Sequence, residues 1–224
     1  MSAEYSVRYS KRKTVSITVE RDRSVVVRAP VGTSDEQIER LVREKGFWIY
    51  EKTKHKQKYA PTGSVKEFVA GASIPYLGQQ YRLDVISRSF DGVLFDDKFV
   101  ISKRSARRAS DLFQTWYLEQ AEKTILPLVR NYSSKTGAEY NSVRIVDLKY
   151  RWGSCTPKNN LNFNWRLIKA PIRVIEYVIV HELAHLLEPN HTERFWQIVK
   201  TQIPDYFRAK QWLKENGSLL EEAP

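Results

Sequence analysis

His181-Glu182-Leu183-Ala184-His185 lies inside an apolar stretch, and few folds tolerate that combination. Of the four histidines in the chain, three fall between positions 181 and 191. Residues four apart share one face of a helix, so His181 and His185 can turn their imidazoles to a single ion. Glu182 then stands beside that ion, where a carboxylate serves as general base toward a water the metal polarises. The flanking residues ask for a helix. Pro171 suits a first turn, and Ile172, Ile175, Val178, Ile179, Glu182 and Leu186 recur at helical spacing. Val174, Leu183 and Leu187 add apolar faces, which predicts a helix buried on most sides. Two His and a Glu buried without partners would be costly, and a metal satisfies all three. A core helix with merely hydrogen-bonded histidines is the competing reading.

Pro189 is expected to stop this helix, after which Asn190 and His191 turn back toward the same ion. His191 is the favoured third ligand. Glu188 and Glu193 are its rivals, since zinc accepts two imidazoles with a carboxylate as well as three imidazoles. Glu188 could serve only if the helix continued that far.

The rest of the chain reads as α+β. Val15, Ile17 and Val19, then Val25 and Val27, alternate as two strands within residues 5–29, with a turn at Asp22-Arg23-Ser24. Ser34 and Gln37 fit a capping box for a helix through Ile38, Leu41, Val42 and Ile49, ending in the lysines of 52–58, and Pro61-Gly63-Ser64 reads as a loop. Residues 65–102 are strand-rich, with a hairpin signal at Asp91-Gly92 and a further turn at Asp96-Asp97-Lys98. A long helix is predicted from about Ser105 to Lys135, kinked or split by Pro127 and ended by Gly137. A strand at 143–149 and a hairpin through Asn159-Asn160 precede the histidine helix. Two short helices, 192–201 and 205–215, follow it, and Gly217 is expected to end regular structure. The predicted division is a β-rich region with one helix over 1–103 and a second domain over 104–224.

Composition narrows the class. One cysteine, Cys155, allows no internal disulfide, and Met1 to Glu20 holds no apolar signal core. No run reaches transmembrane length, so the expectation is a cytoplasmic protein with no membrane association. The net charge of +11 favours acidic partners or nucleic acid through a basic surface, with clusters at Lys11-Arg12-Lys13, at Lys52 to Lys58 and at Lys103 to Arg108.

Several segments occur together in a recognisable order: Arg151-Trp152-Gly153-Ser154-Cys155, Asn164-Trp165-Arg166-Leu167-Ile168, Ala170-Pro171, Tyr177 to His185, and Asn190-His191 with Phe195-Trp196. This pattern resembles the YgjP-like metallopeptidase family and, more distantly, the SprT-like proteases. The resemblance implies a compact zincin-like catalytic domain with an HExxH active-site helix. It implies Zn2+ on His181, His185 and His191, with Glu182 as base, and a protein or peptide substrate. The alternative class is a basic nucleic-acid-associated protein with a structural or secondary zinc site, acting on DNA-bound proteins.

Within the peptidase reading, Arg151, Arg166 and Tyr206 are the candidates for stabilising an oxyanion. The strand Leu161 to Trp165 is a candidate for pairing with an extended substrate, against the alternative of a buried scaffold strand. Cys155 paired with a histidine would offer a nucleophile; a buried or a redox-sensitive thiol near the site is the plainer reading. Trp152 and Trp165 read as core.

Overall fold

The computed structural model describes residues 4–19, 24–54, 68–148 and 151–222, a mixed α+β chain whose contacts divide it after residue 62. The turn at Asp22-Arg23, the lysines at 56 and 58, and the loop at Pro61-Gly63-Ser64 lie outside the described residues.

The first unit is built on a three-stranded sheet of β1 (Tyr5–Ser10), β2 (Ser16–Val19) and β3 (Val25–Pro30). The central strand is β3, parallel to β1 and antiparallel to β2. Val25, Val27 and Ala29 of β3 form one core with Ile38 and Val42 of α1 (Asp35–Glu44) and Ile49 of α2 (Gly46–Lys54). Burying each such branched side chain contributes about 1.5–3 kcal/mol. The Ser34 hydroxyl accepts from the Gln37 N–H and starts α1 as the sequence predicts. Where one helix was expected there are two: α1 ends at Lys45, next to Gly46, the poorest helix former of that stretch after proline is set aside. The strand β1 was not singled out in the sequence, because an edge strand with mostly exposed side chains carries little apolar pattern.

In the second unit, β4 (Ser73–Tyr76), β5 (Gln79–Ile86), β6 (Leu94–Phe95) and β7 (Phe99–Ser102) form a sheet in the order β4-β5-β7-β6. Its hairpins are not at Asp91-Gly92, which is a bend. They lie at Asp96-Asp97-Lys98, between antiparallel β6 and β7, and at Leu77-Gly78, between β4 and β5. Both turn residues of the latter have positive φ, 47° and 80°, the geometry that matches strand twist in a two-residue turn. That turn donates its Leu77 and Gly78 N–H groups to the carbonyls of Ile168 and Lys169.

A 3-10 turn, Lys103–Arg108, leads into α3 (Ala109–Thr136). This helix runs unbroken through Pro127, whose exposed position puts the missing hydrogen bond on the solvent side, and Gly137 caps it with φ 70°. Tyr76, Phe95 and Phe99 of the sheet pack their rings against Trp116 of α3, Phe99 also meets Phe113, and Tyr81 packs on Phe95 within the sheet. Residues 73–102 therefore belong with the helix that follows them, and the contact boundary falls after residue 62 where the sequence suggested 103/104.

A third sheet, in the order β8-β10-β9, comprises β8 (Ser142–Val146), β9 (Gly153–Cys155) and β10 (Asn160–Asn164). A 3-10 turn (Trp165–Lys169) then enters α4 (Ile172–Leu187), followed by α5 (Glu193–Gln202) and α6 (Tyr206–Glu221). The helix α4 touches α3, β9, β10, α5 and α6, and Ile175, Ile179 and Leu183 are fully buried. The last helix continues past the expected stop at Gly217. That glycine is buried within α6, and the buried Lys169 ammonium donates to the carbonyls of Leu220 (3.4 Å) and Glu222 (2.9 Å), closing the helix end. Among the described residues no helix is long and apolar enough to cross a membrane.

Candidate metal centre

Two of the three histidines take their positions from α4. His181 and His185 lie one turn apart on it, and the helix ends at Leu187 with Glu188 in extended geometry (φ −145°, ψ 104°). Pro189 follows, as expected of a stop. The chain then reverses, and the ligand nitrogens of His181, His185 and His191 all fall within 4.8 Å of one another. Nε2 of His191 stands 3.1 Å from Nε2 of His181. Around tetrahedral zinc with Zn–N distances of about 2.0–2.1 Å, two ligand nitrogens stand about 3.3 Å apart, so the spacing fits a metal. Among the described residues this is the group able to hold an ion, and neither Glu188 nor Glu193 belongs to it.

Protonation also suits a cation. Nδ1 of His185 is 3.1 Å from the Pro189 carbonyl. A carbonyl only accepts, so Nδ1 carries the proton and Nε2 keeps its lone pair. Burial, reinforced by the charges of His185, His191 and Lys210, pulls the His181 pKa down to about 3, so its ring is neutral. Its Nδ1 is buried without a hydrogen-bond partner, so burial rather than a bonded neighbour sets its state. Burial and the neighbouring His191 lower His185 as well.

Glu182 is buried at the next position, against the strand β9. Burial raises its carboxyl to about 7, opposed by a hydrogen bond from the Cys155 backbone N–H and by the charge of Arg151. A carboxyl poised near neutrality can both take up and return a proton. Gly153 makes this contact possible: a Cβ there would lie 2.6 Å from Glu182 Cγ and 2.8 Å from its Oε1. The phase of the β9–β10 ladder is fixed by Asn164 N–H donating to the Trp152 carbonyl (2.8 Å) and Thr156 N–H to that of Asn160 (3.0 Å). Gly153 and Cys155, which alternate with these pairs, turn their backbone groups outward from the sheet.

The remaining sequence candidates separate. The strand holding Leu161 to Asn164, β10, is central, paired on both sides, with Leu161 and Phe163 fully buried. It is a scaffold strand; among the described residues the unpaired sheet edge next to Glu182 belongs to β9. Arg166 is engaged by Asp147 and lies 4.4 Å over the Trp165 ring, which leaves Arg151 and Tyr206 as oxyanion candidates. Trp152 and Trp165 are buried. Cys155 is half-buried, its thiol 3.7 Å from the Thr156 carbonyl, and burial with the Glu182 charge raises its pKa, the opposite of an activated thiolate.

Gly153 and Tyr177 were not assigned to the site from sequence, and Tyr206, read there as an oxyanion candidate, stacks between Trp196 and Tyr177. Glycine inside a strand does signal close backbone approach, and that was the available cue for Gly153.

Comparison with known families gives a match between the model for the YgjP-like metallopeptidase domain and residues 13–216. No curated protein matches. Among solved structures, the metallopeptidase zymogen abylysin of Pyrococcus abyssi aligns at 22% identity, covering 44% of this chain and 97% of that one, with a TM-score of 0.39. The metallopeptidase zymogen jannalysin of Methanocaldococcus jannaschii aligns at 17% identity over 42% of this chain and 89% of that one, with a TM-score of 0.38.

Proposed function

The chain belongs to the YgjP-like metallopeptidase family, and we propose that it hydrolyses peptide bonds using a zinc ion on His181, His185 and His191, with Glu182 as general base. The observation that carries this reading is the convergence of three imidazoles beside a buried carboxylate on the same helix. Zinc held there would supply a Lewis acid for the scissile carbonyl and lower the pKa of water to about 7. Glu182 takes the proton of the attacking water and passes it to the leaving amine. The Cys155 N–H and the bare Gly153 backbone hold that carboxylate in place. An extended substrate would pair with the outward backbone groups of β9 at Gly153, which brings its peptide bond alongside Glu182.

The test is hydrolysis of an unfolded protein substrate by the zinc-supplied chain beside Glu182→Gln. The amide cannot accept the proton, so the rate should fall by about 10²–10⁴-fold, the contribution of a general base, while zinc content stays the same. Undiminished hydrolysis by Glu182→Gln, or none by the zinc-supplied wild type, would overturn the reading.

A further inference from the structure

We infer that Trp196 is a positioning residue for the metal centre: it clamps the ring of His191, the one ligand that no helix holds. The inference rests on the three-histidine reading above. His181 and His185 are fixed by the backbone of α4, whereas His191 is exposed and lies between the end of α4 and the start of α5. Such a position gives an imidazole no built-in orientation.

The start of α5 supplies one. Thr192 is the N-cap, its hydroxyl accepting from the Phe195 N–H at 3.3 Å. His191 precedes the cap and Trp196 is the fourth residue of the helix. Side chains at these two positions meet across the first turn in the hydrophobic staple, which fixes the angle at which the chain enters a helix. Here the stapled residue is the ligand itself. The two rings stack with centroids 5.6 Å apart and planes at 23°. Phe195 packs edge-on against His191 at 4.7 Å.

The staple is braced from behind. Tyr206 of α6 stacks on Trp196 at 5.2 Å and 18°, and Tyr177 of α4 stacks on Tyr206 at 6.3 Å and 18°. Lys210 places its ammonium 4.6 Å from the Trp196 ring centroid. Tyr177 sits one turn before His181 and meets it edge-on at 5.8 Å. The pile thus runs from α4 through α6 and α5 to His191, whose Nε2 faces back to His181 on α4. A flat partner restricts rotation of the His191 ring and keeps its Nε2 edge aimed at the other two ligands.

The experiment is titration of the chelator-stripped full chain with Co2+, reading affinity and the visible spectrum. Trp196→Ala should weaken binding by about 10–100-fold, the usual cost of removing a group that orients a metal ligand. Trp196→Phe, which keeps a flat ring, should recover most of that loss. The circular dichroism of the stripped Trp196→Ala chain should match that of the wild type, an outcome that a general effect on folding would not give. If Trp196→Ala does not fold, Trp196→Leu, which keeps an apolar side chain without the flat face, should show the same weakening. Unchanged affinity in these variants, or a weakening in Trp196→Ala that Trp196→Phe does not recover, would overturn the inference while leaving the site intact. A wild type that binds no metal would overturn the site reading and the inference with it.

Discussion

A methyl group added at position 153 would press on the Glu182 carboxylate, with its carbon 2.6 Å from Cγ. The backbone of β9 cannot yield without breaking its ladder to β10, so the side chain of Glu182 must move. Displacing a catalytic group by about an ångström can cost on the order of 10²-fold in rate. Gly153→Ala should therefore reduce hydrolysis by about that factor and leave zinc content unaltered, as measured by elemental analysis beside a rate assay. At this scale the sequence brought out the candidate ligands and was silent about what supports them. His181 and His185 are legible because a helix repeats its face every three to four residues. The choice between His191 and Glu188 turned on where α4 ends, and that depended on the chain reversing after Pro189. The Gly153 contact pairs residues far apart in sequence, which no local pattern reports.

Elements show the same division between local and distant causes. The cap at Ser34, the stop at Pro189 and the left-handed Gly137 are local chemistry and read directly. The length of α6 did not, because the group that closes it is Lys169, from a different element. Lys169→Met should keep the buried stem and lose the ammonium, so the last turn of α6 should lose hydrogen-exchange protection while the turns near Tyr206 keep theirs. Uniform protection through Leu220 would contradict this role. The role of β10 was likewise invisible from its alternation, since central and edge strands share a period of two. Its burial makes it structural: Phe163→Ala should cost about 3–5 kcal/mol of stability in a denaturant titration, as large-to-small core changes do.

Over the whole molecule, every residue assigned to the metal centre lies in the unit beyond residue 62, while Val25, Val27, Ile38, Val42 and Ile49 form a core of their own in the unit before it. Ile38→Ala should lower stability by about 2–5 kcal/mol and leave the zinc content of the folded protein unchanged. The central claim is that three imidazoles, and no carboxylate, hold the ion. It is tested most directly by the zinc content of the purified chain beside His191→Ala and Glu188→Ala. The account predicts about one zinc per chain for a site of this donor set, lost with His191→Ala and retained with Glu188→Ala. Zinc retained with His191→Ala and lost with Glu188→Ala, or no zinc in any of the three after it is supplied, would contradict it.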